Sequence, residues 1–362
     1  MAGIYIHIPF CKSRCRYCDF FSTTHLEKKN AYIDAVIKEW ETYQNEWKKL
    51  DIHTIYIGGG TPSLLSAESL YKLLHSIFKS INTTAIHEIT LEANPGDITT
   101  DKIRAWRTVG INRLSIGVQT FNDNLLHLVG RRHNANQAIE AVKIAQGEGI
   151  TNISIDLMYA LPSQTMVEWQ TDINQAIKLN VPHISCYGLI YEDGTTLTKM
   201  LEQGMITAVD EELEITMYDY LVDQLTQNGY EHYEVSNFSL PGQRSRHNSS
   251  YWNDTPYIGL GAGAHSYDGK RRWWNIADID QYITQAINHT LTPELEIITQ
   301  EHRHMEQVML GLRTSEGVKC TAINMDKAQT YISKGLLELK KENIVATTKG
   351  YHILNRIIEE LL

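Results

Sequence analysis

"HTIYIGGGTPS", residues 53–63, is a β-branched run that ends abruptly in three glycines, a threonine and a proline. Glycines let a backbone approach a ligand closely and leave N–H groups free to donate to a carboxylate. A tight turn is the plainer reading of the same residues. The neighbourhood decides between the two. IYIHIP (4–9), HEITLEAN (87–94), RLSIGVQT (113–120), NISIDLMYAL (152–161) and HISCYGLI (183–190) are further short β-rich runs. Helical stretches separate them, among them KKNAYIDAVIKEWETYQNEW (28–47), SAESLYKLLHSIFKS (66–80) and NQAIEAVKIAQ (136–146), with DEELEITMYDYLVDQLTQ (210–227) following. The near-continuous apolar character of the runs suits parallel strands covered on both faces. Six strand–helix units in a row predict either a parallel α/β barrel or a doubly wound sheet.

Polar groups at successive strand ends favour the barrel. Gly59 to Thr61 follow the second strand, Glu92 the third and Gln119 the fourth, and Asp156 sits in the fifth. Barrel enzymes collect their chemistry at the carboxyl ends of many strands, whereas an open sheet concentrates it at one switch point. Loop-edge polar residues in any α/β protein remain the alternative. Beyond this region, residues 240–275 are turn-rich and aromatic, and the remainder is mainly helical with a small helix–turn–strand module near 298–355.

Composition bounds the function. The chain has 362 residues and a formal charge of −10, which argues against a nucleic-acid surface, since that needs a basic face. Local basic clusters could still hold an anionic small molecule. No early stretch is long or apolar enough for a signal peptide or a membrane span. "IYIHIPF" is short, lacks a small-residue cleavage site and runs straight into cysteines. The expected location is therefore cytoplasmic, where thiols stay reduced and clustered cysteines bind metal.

Those cysteines lie in "FCKSRCRYCDF", residues 10–20, which gathers Cys11, Cys15 and Cys18 as C-x3-C-x2-C. Structural zinc wants a fourth ligand, and the remaining cysteines, Cys186 and Cys320, stand alone in apolar surroundings and read as ordinary buried residues. Covalent haem attachment needs C-x-x-C-H, but Asp19 follows Cys18. A redox pair would leave Cys11 unexplained. An iron–sulfur cube accounts for all three thiols and leaves one iron without a protein ligand. Lys12, Arg14 and Arg16 interleave the cysteines and either offset the cluster's charge or are solvated.

C-x3-C-x2-C with Tyr17 inside it resembles the signature of the radical S-adenosylmethionine superfamily. That resemblance implies a [4Fe-4S] cluster on Cys11, Cys15 and Cys18, with S-adenosylmethionine on the open iron. It makes the fold a partial (β/α)6 TIM-like barrel over 1–235. An aromatic, glycine-rich connecting segment follows over 236–280, and a smaller, mainly helical, winged-helix-like C-terminal domain over 281–362. "GGGTPS", "LEANPGD", "GVQTFND", "VGRRH" and "IDLMYALPSQT" together resemble the coproporphyrinogen dehydrogenase-like branch. The resemblance implies that Tyr5 and Glu92 contact the cluster-bound cofactor. Tyr17, Gly59, Gly60, Thr61, Gln119, Arg131 and Asp156 would line the rest of the pocket. Each of these has a plainer reading as a satisfied strand-end hydrogen-bonder.

Two departures point within the branch. Oxygen-independent coproporphyrinogen dehydrogenases carry another cysteine two residues beyond the third, where this chain has Phe20. They also have a longer segment before the motif. Both features resemble the haem chaperone HemW group, as does "HNSSYW" (247–252), whose H-N-x-x-Y-W pattern is associated with haem there. His247 could ligate iron while Tyr251 and Trp252 offer flat apolar surface; a loop packed on the barrel is the other reading. "GLGAGAH" (259–265) matches no dinucleotide fingerprint, and "GKRRWW" reads as a solvated basic loop. The leading expectation is haem binding and transfer to apo-haemoproteins such as respiratory cytochromes. The first rival is oxidative decarboxylation of porphyrinogen propionates, which would require a flavodoxin-like electron donor. The second is a radical enzyme with an unrelated substrate. Homodimerisation and transient membrane association through client proteins are left open.

Overall fold

The computed structural model describes residues 2–362. Six parallel strands form its centre: β1 (Ala2–Ile8), β2 (Ile52–Gly59), β3 (Glu88–Ala93), β4 (Arg113–Gln119), β5 (Asn152–Tyr159) and β6 (His183–Gly188). Each lies within two residues of the run read from the sequence. Helices α1 (Lys29–Trp47), α2 (Ala67–Phe78) and α3 (Thr100–Thr108) connect the first four strands. Helices α4 (Asp123–Leu128), α5 (Ala135–Gly147) and α6 (Met166–Lys178) follow, then α7 (Thr196–Glu202) and α8 (Glu211–Gln227). Side-chain N-caps start most of them; Thr165 and Asn134 head full capping boxes on α6 and α5.

The strands alternate apart from local bulges. In β1, Ile4, Ile6 and Ile8 are fully buried in the same core as Tyr32, Val36 and Trp40 of α1. The intervening Tyr5 and His7 face the inside of the curved sheet, where their side chains bond to each other. The same period runs through Ile55/Tyr56, Leu91/Glu92, Ile116/Ser115 and Ile155/Asp156. Burying one such isoleucine is worth about 1.5–3 kcal/mol. The outer face therefore carries the stability, and the inner face is polar where a continuous apolar strand was expected.

Hydrogen bonding does not close the barrel. β6 pairs antiparallel with β8 (Asn237–Ser239), which pairs with β7 (Glu231–Glu234). At the other edge β1 pairs in parallel with β9 (Tyr257–Leu260), which leads to β10 (His265–Tyr267), β11 (Arg271–Trp274) and β12 (Glu294–Ile297). The turn-rich segment thus adds strands to the sheet as well as turns, and it opens with a helix, α9 (Arg246–Trp252), capped by Ser245. Helix α10 (Ile279–Ile287) packs on α1.

A second core begins in α11 (Gln300–Gly311), where Val308 is fully buried, and runs to Leu361. It holds α12 (Met325–Ser333), α13 (Thr348–Tyr351), α14 (Leu354–Leu361) and a small antiparallel sheet of β13 (Val318–Lys319), β14 (Leu337–Lys340) and β15 (Asn343–Ala346). Cys320 lies half-buried against this core, not fully enclosed as its surroundings suggested; Cys186 is buried as read.

Candidate functional site

The cysteine loop is pinned at both ends. Phe10 is fully buried edge-on against Tyr32, with ring centroids 5.3 Å apart. Cys11 N donates to Thr23 O at 2.9 Å, and Thr23 N returns to Pro9 O at 2.6 Å. Midway, Arg16 N donates to Val129 O, and Leu197 N donates to Arg16 O, tying the loop to the ends of α4 and α7. An exposed loop at a strand end is thereby fixed in place. Gly60 allows it to sit low: a Cβ there would lie 2.9 Å from Phe10 O and 3.0 Å from Cys11 Sγ.

Each outer thiol of this set meets different surroundings. Burial raises the Cys11 thiol above its ordinary range and pushes Cys18 up to about 11. Donors oppose that cost where they reach sulfur: Thr61 Oγ1 lies 3.5 Å from Cys11 Sγ, and Arg131 Nη1 lies 3.4 Å from Cys15 Sγ. Such donors favour the thiolate that iron needs. Of the three interleaved basic residues, Arg14 lines the cavity and its charge opposes the rise at Cys18, while Lys12 and Arg16 are engaged elsewhere. Lys12 pairs with Asp97, and the two arginines donate to the Phe20 and Leu128 carbonyls. Among the described residues, no three His, Cys, Asp or Glu side chains converge as one metal ion would require. Cuboidal clusters ask for something else, one thiolate at each of three separate irons, and so for cysteines spread along a cavity wall.

The cavity exists, with a volume of about 560 Å³. Cys11, Cys15, Cys18 and Tyr17 form one wall, and Gly59, Gly60 and Thr61 a second. Glu92, Gln119, Arg131 and Asp156 line its deeper side. Glu92 accepts from Tyr56 Oη at 2.8 Å and from Gly59 N at 3.0 Å. Burial raises its carboxyl to about 7 against the pull of those two donors. Asp156 is likewise raised by burial, with Ser185, Arg113 and Ser115 opposing. Gly59 holds φ at 114°, and a Cβ there would meet the His7 ring at 2.7 Å. Only glycine fits. Gln119 is the notable non-glycine at φ 70°, placed by a bulge between Gly117 and Gln119 in the β4–β5 pairing. The bulge re-aims its side chain into the cavity.

Arg132 and Lys12 converge on Asp97 at 3.1 and 3.2 Å, with Ser63 Oγ at 3.1 Å. Burial would raise the Asp97 carboxyl, but these cations outweigh it and hold it below the usual range. This knot fixes the turn after β3 beneath the cysteine loop. Phe20 is 64% exposed at the cavity rim.

Two of the residues read from the sequence are not brought into the cavity wall. Tyr5 lies beside it, its hydroxyl 2.9 Å from His7 Nδ1 and its ring 6.2 Å from that of Tyr56. His247 is fully buried at the start of α9, Nδ1 2.8 Å from Thr54 Oγ1 and Nε2 2.9 Å from Tyr251 Oη. Tyr56, which the strand-end rule passed over, does line the cavity. Its place in the alternation IYIGG, on the same face as Gly58, was the available signal.

Residues 5–176 match the family model described as the Radical SAM superfamily. The "Heme chaperone HemW" of Lactococcus lactis subsp. lactis (strain IL1403) is 38% identical over 99% of this chain and 96% of its own length. This chain belongs to the HemW family. The HemW of Bacillus subtilis (strain 168) is 36% identical, covering 88% of this chain and 85% of its own. Among solved structures, "Coproporphyrinogen III oxidase (HemN) from Escherichia coli is a Radical SAM enzyme" superposes with a TM-score of 0.85 at 22% identity, over 99% of this chain and 89% of that one. HemW and that enzyme therefore share a fold. No helix among the described residues is long and apolar enough to cross a membrane.

Proposed function

We propose that this HemW-family chain binds haem and passes it to apo-haemoproteins such as respiratory cytochromes, and that it carries a [4Fe-4S] cluster and S-adenosylmethionine in the cavity below the cysteine loop. The supporting observation is one cavity of about 560 Å³ walled by Cys11, Cys15 and Cys18 on one side and by Glu92 and Asp156 on the other. Its size suits a nucleoside-sized ligand. The cysteines would hold the cluster, with Arg131 and Thr61 donating to their sulfurs. The glycine turn at 59–61 would approach the ligand's methionine end, and the carboxylates would take its hydroxyls and ammonium. Bound there, the pair would supply one-electron radical chemistry.

Haem ligation is proposed at His247. The ring must then leave Thr54 and Tyr251, so haem uptake would move α9. His247→Ala should weaken haem binding in a titration while leaving cluster absorbance intact; unchanged haem affinity removes this residue. The intact cofactor constellation favours one second reading, porphyrinogen decarboxylation. Both are tested together on protein reconstituted anaerobically. We expect Mössbauer spectra of a cubane that Cys15→Ala abolishes, haem transfer to an apo-cytochrome, and no divinyl product from coproporphyrinogen III. Divinyl product without transfer selects the second reading, and zinc or no metal at the cysteines overturns both.

A further inference from the structure

Arg113 opens β4, yet it is 1% exposed, and none of its Nε, Nη1 and Nη2 atoms has a hydrogen-bond partner. A guanidinium cannot shed its proton, so burial without partners is costly and cannot be relieved by neutralisation. Its surroundings show the same gap. Arg113 pairs in register with Thr90 of β3 and Asn152 of β5, and Thr90 Oγ1 and Asn152 Oδ1 are buried without partners too. Orphaned donors beside orphaned acceptors call for a molecule that does both, which is water. Ordered water below the cavity would complete this floor.

The position of Arg113 gives the floor a role. It stands one register step below the Glu92–Ser115 row and two below the Gly117–Asp156 row, on the same inner face. Its charge acts on Glu92 and Asp156, and on Tyr56, Tyr233, His183 and His247 around it. The other titratable groups facing Glu92 are Tyr5 from β1, Tyr56 from β2, Asp156 from β5 and Tyr251 from α9. The tyrosines are all held neutral by burial, which leaves Arg113 as the opposite charge among them. Asp156 has Arg131 as well.

We infer that Arg113 is the buried counter-cation of the cavity: acting through ordered water, it keeps Glu92 ionised and so sets the pH range over which an S-adenosyl ligand binds. The inference rests on the cofactor reading of the cavity given above. Arg113 touches no ligand and is a positioning residue.

S-adenosylmethionine binding to the reconstituted full chain, followed by calorimetry from pH 6 to 9, tests it. Wild-type affinity should rise through about pH 7 and level off. In Arg113→Gln the rise should move up by about one pH unit, making binding roughly threefold weaker at pH 7.5 and close to tenfold weaker at pH 6, and restoring it by pH 9. Arg113→Lys should stay near wild type, and a Glu92→Gln background should erase the shift. A profile for Arg113→Gln that matches wild type, or one lowered equally at every pH, overturns the inference while leaving the cofactor reading intact. Wild type that binds no S-adenosylmethionine at any pH overturns both. Should Arg113→Gln fold poorly, the double variant Arg113→Gln/Glu92→Gln should melt at a higher temperature than the single one. A double variant no more stable than the single overturns the counter-charge.

Discussion

On the outer face of the parallel strands, Ile6, Ile55, Ile116 and Ile155 are fully buried against helices. On the inner face of those same strands, Tyr56, Ser115 and Asp156 line a cavity, and His7 bonds to Tyr5 beside it. One backbone thus serves two purposes, separated by its period of two. Folding free energy is gathered outside the barrel, so the inside is free to be polar, hydrated and specific for a ligand. The difference predicts that substitutions will sort by face: outer ones unfold the chain, and inner ones leave it folded but unable to bind.

The hardest blow to that division would be an outer substitution with little effect. Trp169 of α6 is fully buried, packs on Tyr159 with centroids 5.6 Å apart and donates Nε1 to Met217 O at 2.9 Å. Trp169→Ala should cost about 3–5 kcal/mol in denaturant unfolding. Iron content per folded molecule should not change.

Glu39 is the exception that sharpens the contrast, a carboxyl buried outside the barrel. It accepts from Gly261 N at 2.8 Å, Asn275 Nδ2 at 2.6 Å and Tyr282 Oη at 2.5 Å, yet burial raises it to about 7 from an ordinary 4.5. The fold therefore favours its protonated form. That contribution is complete below about pH 4.5 and is lost as pH rises through 7. Glu39's part of the stability of the metal-free protein should fall between about pH 4.5 and 8, by on the order of 2–3 kcal/mol at most, and Glu39→Gln should remove that part of the fall. The buried histidines act with the opposite sign. Burial lowers His133 and His247 to about 3, so the stability they contribute is present above their ordinary 6.5 and is lost as pH falls toward 3.

A smaller effect is expected where the two faces meet. Gly59→Ala forces a side chain onto a φ of 114° and into the His7 ring. About 1–3 kcal/mol should be lost, with a larger loss of S-adenosylmethionine affinity. Least destabilising of all should be Glu92→Gln, within about 1 kcal/mol of wild type because the amide oxygen can accept from Gly59 N while its NH2 donates to Tyr56 Oη. Its S-adenosylmethionine binding at pH 8 should nevertheless fall at least tenfold. A Glu92→Gln protein that unfolds would erase the distinction between faces.

Much of this was legible in the chain. The six strands could be read because β-branched runs between helical stretches are a strong signal, and the cavity residues because they cluster at strand ends. The polar interior was not read, although IYIHI and SIDLMY alternate. Tyr, Met and Gly at inward positions pass for apolar, which hides the period. Arg113 and Tyr56 were missed because the strand-end rule looks past mid-strand and strand-start positions. Strands β9 to β11 hide among turn residues; four residues such as YIGL become a strand through pairing with β1, a tertiary decision that local propensity does not carry. His247 drew notice by its motif, but its two hydrogen bonds exist only once Thr54 and Tyr251 are brought to it.

The pairing of Gly3 with Tyr257 has a further consequence. The strand that launches the cysteine loop gains its second neighbour only after most of the chain has left the ribosome. Contacts so distant in sequence slow folding. A cluster held as proposed above would find its thiols on an unfinished scaffold until residues 257–260 have emerged, so its site should form late in synthesis.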